Sequence, residues 1–204
     1  MRLTSITAAV AAASATAAIA VAASASGTTG TVPGPSAGVA SNSSALAADV
    51  VAARDATAKY ATNLAKARAA GYQIITRMIP NMGYHFMNAK VSGFNVRKPP
   101  ILVYERRGKS WHLGALEWVF TSIPAKPPLP GATYGAFGAA CHYADGTFVF
   151  AAAQSSCAAT SPKTHAKFSF WHPNLVTLHF WVWYPNPSGI YMGINPLASP
   201  FNNG

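Results

Sequence analysis

The chain is short of acid, of sulfur and of charge in general. Five acidic residues, Asp49, Asp55, Glu105, Glu117 and Asp145, stand against fifteen Lys and Arg, a formal charge of +10. A glycosidase-type pair needs two buried acids. Only Glu105 and Asp145 are available to join Glu117, and Asp145 belongs to an Asp-Gly turn. No HExxH, HxH or CxxC occurs, and no Gly-rich phosphate loop or dinucleotide fingerprint. No Ser or Thr nucleophile stands in a strand-turn-helix elbow. Standard hydrolase chemistry without a metal is therefore disfavoured. Cys141 and Cys157 are the only cysteines. In an exported chain they pair most simply as one disulfide, which leaves no thiolate for a metal.

The basic balance favours anionic partners such as polysaccharide, lipid headgroups or nucleic acid. Lys and Arg are nevertheless scattered, apart from "RRGK" at Arg106 to Lys109. No basic run interleaved with aromatics marks a nucleic-acid track, so nucleic acid is disfavoured; the positive residues read first as a solvated basic face, with a small-molecule or anionic extracellular ligand as the partner to look for.

What is present begins with "MRLTSITAAVAAASATAAIAVAASASG". Arg2 supplies a positive start, an Ala/Val/Ile run the apolar middle, and Ala23-Ser24-Ala25 or Ala20-Val21-Ala22 a cleavage site. Residues 1–25 thus read as an export signal, and the protein as secreted. The run is only weakly apolar and lacks a stop-transfer pattern, so no membrane span is expected. Residues 26–44 are rich in Gly, Ser, Thr and Pro and are expected to be a flexible low-complexity segment. Residues 45–204 are long enough for a single core.

"SALAADVVAARDATAKYATNLAKARAAGY" predicts one long helix, capped by Ser43 or Ser44 and stopped by Gly71. Leu46, Val50, Ala53, Thr57, Tyr60, Leu64 and Ala67 recur at three- and four-residue spacing and form its core-facing stripe. Strands follow: "YQIITRMI", "PPILVYERR", "SWHLGALEWVF", a hairpin around Asp145-Gly146, "NLVTLHFWVWY" and a short last strand in "GIYMG". One helix ahead of many short strands predicts an α+β fold, the helix packed on a mostly antiparallel sheet that is open or curled into a partial barrel.

Polar residues inside apolar strands are where chemistry is to be sought. With a period of two, Leu113, Ala115, Glu117 and Val119 share one face of their strand. Both faces are mostly apolar, and a carboxylate there requires a partner, a proton or a metal. An ion pair with an Arg, or an edge-strand position, is the structural alternative. His179 shares its face with Leu175, Thr177, Trp181 and Trp183, an arrangement equally suited to a hydrogen-bonded core histidine and to a metal ligand. His85 follows Met82-Gly83, where glycine permits a backbone bend that aims the imidazole inward. Two histidines and a glutamate are a legitimate ligand set for zinc or another first-row transition metal. His142 and His172 are further candidates, as replacement ligands or as an outer shell. His112 and His165 read as surface residues, and Asn186-Pro187 and Asn195-Pro196 as turns capped by Asn side chains.

"RAAGY", Met82-Gly83-Tyr84-His85, "LVYE", Glu117-Trp118, His179-Phe180-Trp181 and Asn186-Pro187-Ser188-Gly189 together resemble a pattern of exported bacterial and fungal proteins. The resemblance covers most of the chain after Asp55. It implies that His85, Glu117 and His179 belong together and assigns no reaction. The expectation is a secreted domain with a buried His/Glu site for a divalent metal. A non-enzymatic ligand-binding or host-interaction protein with an aromatic pocket is the alternative.

Overall fold

The computed structural model describes residues 37–201. The export-signal reading of residues 1–25 lies outside the described residues, as does the larger part of segment 26–44. Helix α1 spans Ala37–Thr57, a 3-10 turn follows at Ala58–Tyr60, and α2 spans Leu64–Ala69. The helix starts before the expected caps at Ser43 and Ser44. Its first turns, from Ala37 to Ser44, hold only two alanines and extend N-terminally the Ala-rich run that begins at Ala45.

The expected single helix is also broken at residues 61–63. The Asn63 side chain accepts a hydrogen bond from the Lys66 N–H (2.9 Å) and caps α2. The carbonyls freed by the break are taken up by the sheet. Tyr60 O accepts from the Tyr104 hydroxyl (2.8 Å) and Ala61 O from the Leu113 N–H (2.7 Å). The break is thus satisfied on both sides. The helical stripe holds: Ala53, Thr57, Tyr60, Leu64 and Ala67 are buried, with Leu46 and Val50 packed against the same core.

The described residues form nine strands: β1 Gln73–Ile79, β2 Gly83–Met87, β3 Ile101–Arg107, β4 Ser110–Phe120, β5 Gly135–Phe137, β6 Ala140–Tyr143, β7 Phe148–Phe150, β8 Phe168–His172 and β9 Leu175–Phe180. Six make an antiparallel sheet in the order β1-β2-β3-β4-β9-β5, and three make a second in the order β7-β6-β8. The larger sheet curls into a half-barrel, so the α+β expectation holds in its curled form. Its helix-side face carries Phe86, Leu102, Leu116, Trp118, Leu178 and Phe180. Its other face carries Ile101, Val103, Ala115 and Trp181.

Besides register shifts of β1 against β2 and of β6 against β8, simple alternation fails on β4 and after Phe180, each with a local cause. On β4, Val103 faces Ala115 while Tyr104 faces Leu113, so Gly114 is a bulge and Leu113 joins the helix-side core. The Gly114 carbonyl accepts from the Trp183 N–H (3.1 Å). An added methyl there would lie 3.0 Å from the Trp181 ring. The last long strand ends at Phe180 rather than Tyr184, because the Val182 N–H turns back to Phe180 O (2.9 Å). Trp183 consequently leaves the His179 face and donates its indole N–H to Thr57 Oγ1 (3.1 Å) on the helix side.

The Asp145-Gly146 hairpin joins β6 to β7 as expected, with Gly146 at φ +81°. "GIYMG" forms turns instead of a strand, while β2 and β8 are strands where none was expected. Cys141 and Cys157 form the expected disulfide, Cα atoms 5.6 Å apart. The Asn186 and Asn195 side chains accept from Ser188 N and Leu197 N, each at 3.0 Å, and hold the Asn-Pro turns.

Candidate metal centre

His85, Glu117 and His179 come from β2, β4 and β9 and meet on the face away from the helix. Glu117 and His179 are register partners on adjacent strands. His85 and His179 lie three strand spacings apart, roughly 14 Å in a flat sheet. Their ring centroids are only 6.1 Å apart. The curl of the half-barrel closes that gap and makes this face the concave one. Gly83, at φ +123°, carries the bend that delivers β2, as its position before His85 suggests.

All three side chains are buried, and one ligand atom from each lies within 4.8 Å of the other two. His85 Nε2 is 3.5 Å from Glu117 Oε2, and His179 Nε2 is 3.8 Å from Glu117 Oε1. These separations are too long for good hydrogen bonds. These two edges lie a few tenths of an ångström above that of a tetrahedral site with 2.0–2.1 Å bonds, about 3.3 Å, and the third, between the imidazoles, is within 4.8 Å, so the site closes inward on binding. Both ring nitrogens of His179 are buried with no hydrogen-bond partner among the described residues. Leaving such groups unpaired costs about 1–3 kcal/mol each. A cation between the three donors would satisfy His179 Nε2, and the donor set fits one.

The His85 ring is oriented from behind by Thr76 on β1. Thr76 Oγ1 lies 2.7 Å from Nδ1 and accepts from the His85 backbone N–H (3.2 Å). Burial sets the protonation states without a metal. It lowers the His85 pKa to about 3, with His179 and His142 adding to the effect, and lowers that of His179 to about 4. It raises Glu117 to about 8. Two neutral imidazoles and a protonated carboxyl therefore occupy the metal-free centre near neutral pH.

The three residues lie in a cavity of about 340 Å³ that also reaches the second sheet. Its wall is largely aliphatic, with Ile75, Ile79, Met87, Ile101, Val119 and Leu175, and aromatic only at Phe137 and Phe170. No tryptophan is among the residues that line it. Trp118 faces the helix-side core, and Trp183 leaves with the turn after Phe180.

The ion pair considered for Glu117 occurs instead at Glu105. Its Oε2 is 3.5 Å from Arg107 Nε, whose guanidinium lies over the Tyr184 and Phe201 rings. Burial raises Glu105 to about 7 against the lowering effect of Arg107. His142 and His172 also line the cavity, whereas His165 is exposed. Thr76 is the contributor missed in sequence; its only signal is a hydroxyl in an otherwise apolar stretch of β1. Compared with protein-family models, curated proteins and solved structures, the chain finds no match. Among the described residues no helix is long and apolar enough to cross a membrane.

Proposed function

We propose that the protein is an exported metal-binding domain in which His85, Glu117 and His179 hold one divalent first-row transition ion at the floor of an apolar cavity. One observation carries this reading. Three buried donors from three strands converge at separations too long for hydrogen bonds, with His179 left unpartnered. The set of two imidazoles and one carboxylate suits zinc and leaves a coordination position for a ligand. A bound ion supplies Lewis acidity to whatever atom occupies that position.

The chain's own residues prepare the site. With Thr76 Oγ1 accepting a hydrogen bond from His85 Nδ1–H, the Nε2 lone pair is left to ligate. Glu117 gives up its proton on binding, which couples affinity to pH. The aliphatic wall excludes water and favours an apolar ligand carrying one donor atom. The N-terminal signal pattern and the disulfide support an extracellular setting.

The aliphatic cavity also favours a second reading, capture of an apolar molecule without catalysis. Elemental analysis of the full chain purified without chelator tests the metal. At least one equivalent, or a melting temperature raised by added zinc, is the expected result. No stoichiometric metal, no binding and no thermal shift would remove the metal reading and leave ligand capture.

A further inference from the structure

A second pair of imidazoles shares the cavity and has a different problem of protons. His142 on β6 and His172 on β8 approach each other with Nε2–Nε2 3.0 Å. Each Nδ1 faces a main-chain carbonyl, Ile75 O at 2.7 Å for His142 and Pro173 O at 2.6 Å for His172. A carbonyl only accepts, so both Nδ1 atoms carry the proton and donate it. A neutral imidazole has one N–H. Both Nε2 atoms therefore present lone pairs to each other at contact distance, which is repulsive unless a cation accepts from both.

Three features show that this arrangement is built into the fold. His142 is buried, stacked on Phe170 with centroids 4.6 Å apart and planes 2° from parallel. Its bond to Ile75 ties the small sheet to β1 of the large one. The neighbouring Cys141 is anchored by the disulfide. The Nε2–Nε2 separation lies between the edge of a right-angled pair of ligands with 2.0–2.1 Å bonds, about 2.9 Å, and that of a tetrahedral pair, about 3.3 Å.

We infer that His142 and His172 hold a second first-row transition-metal ion, separate from the His85/Glu117/His179 centre but in the same cavity. Two imidazoles leave several positions open, and imidazole suits zinc and copper. The cavity then presents two cations to one ligand, and an apolar molecule with an anionic oxygen head is the class that fits both the walls and the charge.

Zinc titration of the metal-free full chain, read by native mass spectrometry and imidazole ¹⁵N NMR, tests this. His172 is half-buried and its ring bonds only to His142 and to the adjacent Pro173 carbonyl, so its replacement is expected to leave the fold intact. The wild type is expected to take up about two equivalents. His172→Ala is expected to take up one, and so is the double variant Glu117→Gln/His179→Ala, each losing a different site. A single equivalent that His172→Ala leaves unchanged would overturn the second site while keeping the first. So would a proton that stays between the two Nε2 atoms at saturating zinc. No zinc uptake by any form would overturn both.

Discussion

Glu117 on β4 and His179 on β9 are register partners, and their Oε1 and Nε2 atoms stand 3.8 Å apart. Cross-strand neighbours on one face are placed in contact by the ladder itself, so this half of the centre needs no loop to assemble it. His85 enters from two strands beyond Glu117 only because the sheet curls. The centre is therefore a property of a rigid scaffold, and its energetics follow from burying three titratable groups together.

Removing a ligand is expected to abolish tight binding without unfolding the protein. Glu117→Gln keeps the shape of the side chain and loses the negative oxygen, so the equivalent held by His85, Glu117 and His179 is lost while the melting temperature of the metal-free form holds or rises. Thr76→Val leaves all three ligands and removes the partner of His85 Nδ1. Its affinity for zinc is expected to fall by about 10–100-fold, measured by competition with a chelating dye.

Without metal, stability should have an optimum set by opposing groups. Glu117 titrates at about 8 in the fold against an ordinary 4.5. The folded state thus binds the proton more tightly, and this contribution is lost as pH rises from 4.5 towards 8. His85 and His179 titrate at about 3 and 4 against 6.5. Their contribution is lost as pH falls from 6.5 towards those values. Metal-free protein should therefore lose stability on both sides of mildly acidic pH. Zinc-loaded protein should gain relative to it as pH rises to 8. Denaturant midpoints from pH 4 to 8 with and without zinc check both signs; a flat difference would refute the linkage.

Reducing the Cys141–Cys157 disulfide, which closes 16 residues, is expected to cost about 3 kcal/mol on the loop-closure estimate. Because Cys141 adjoins His142, hydrogen exchange should quicken first in β6, β7 and β8, before the six-stranded sheet. Uniform loss across both sheets would contradict that order.

Gly146→Ala is expected to destabilise the β6–β7 hairpin. Its φ of +81° costs an L-residue about 1–2 kcal/mol. The added methyl would also lie 2.8 Å from Ile74 Cγ1 and 3.1 Å from the Arg77 backbone nitrogen. A melting temperature within a degree of wild type would show that the turn relaxes freely.

Much of the fold was legible because its signals are local. The stripe from Leu46 to Ala67 follows helical period, and β3 and β4 are long apolar runs between turn residues. What was misread has non-local causes. The helix breaks where Tyr104 and Leu113 on the sheet take its carbonyls. The face of Leu113 changes because Gly114 bulges, and that of Trp183 because the chain turns back at Val182. Strands β2 and β8 are short and gain their ladders only from β1, β3 and β6.

By itself the sequence determined which residues resist burial: two carboxylates and a few imidazoles inside apolar strands, where any fold must leave them paired, protonated or ligating. It also determined the disulfide, there being only one pairing to make. Only the tertiary structure decided that Glu105 receives the arginine while Glu117 receives two histidines. It likewise decided that His142 and His172 face each other with both Nδ1 protons already committed. Those outcomes depend on sheet curvature and strand order, which sum small twists over many residues and leave no mark at any single position.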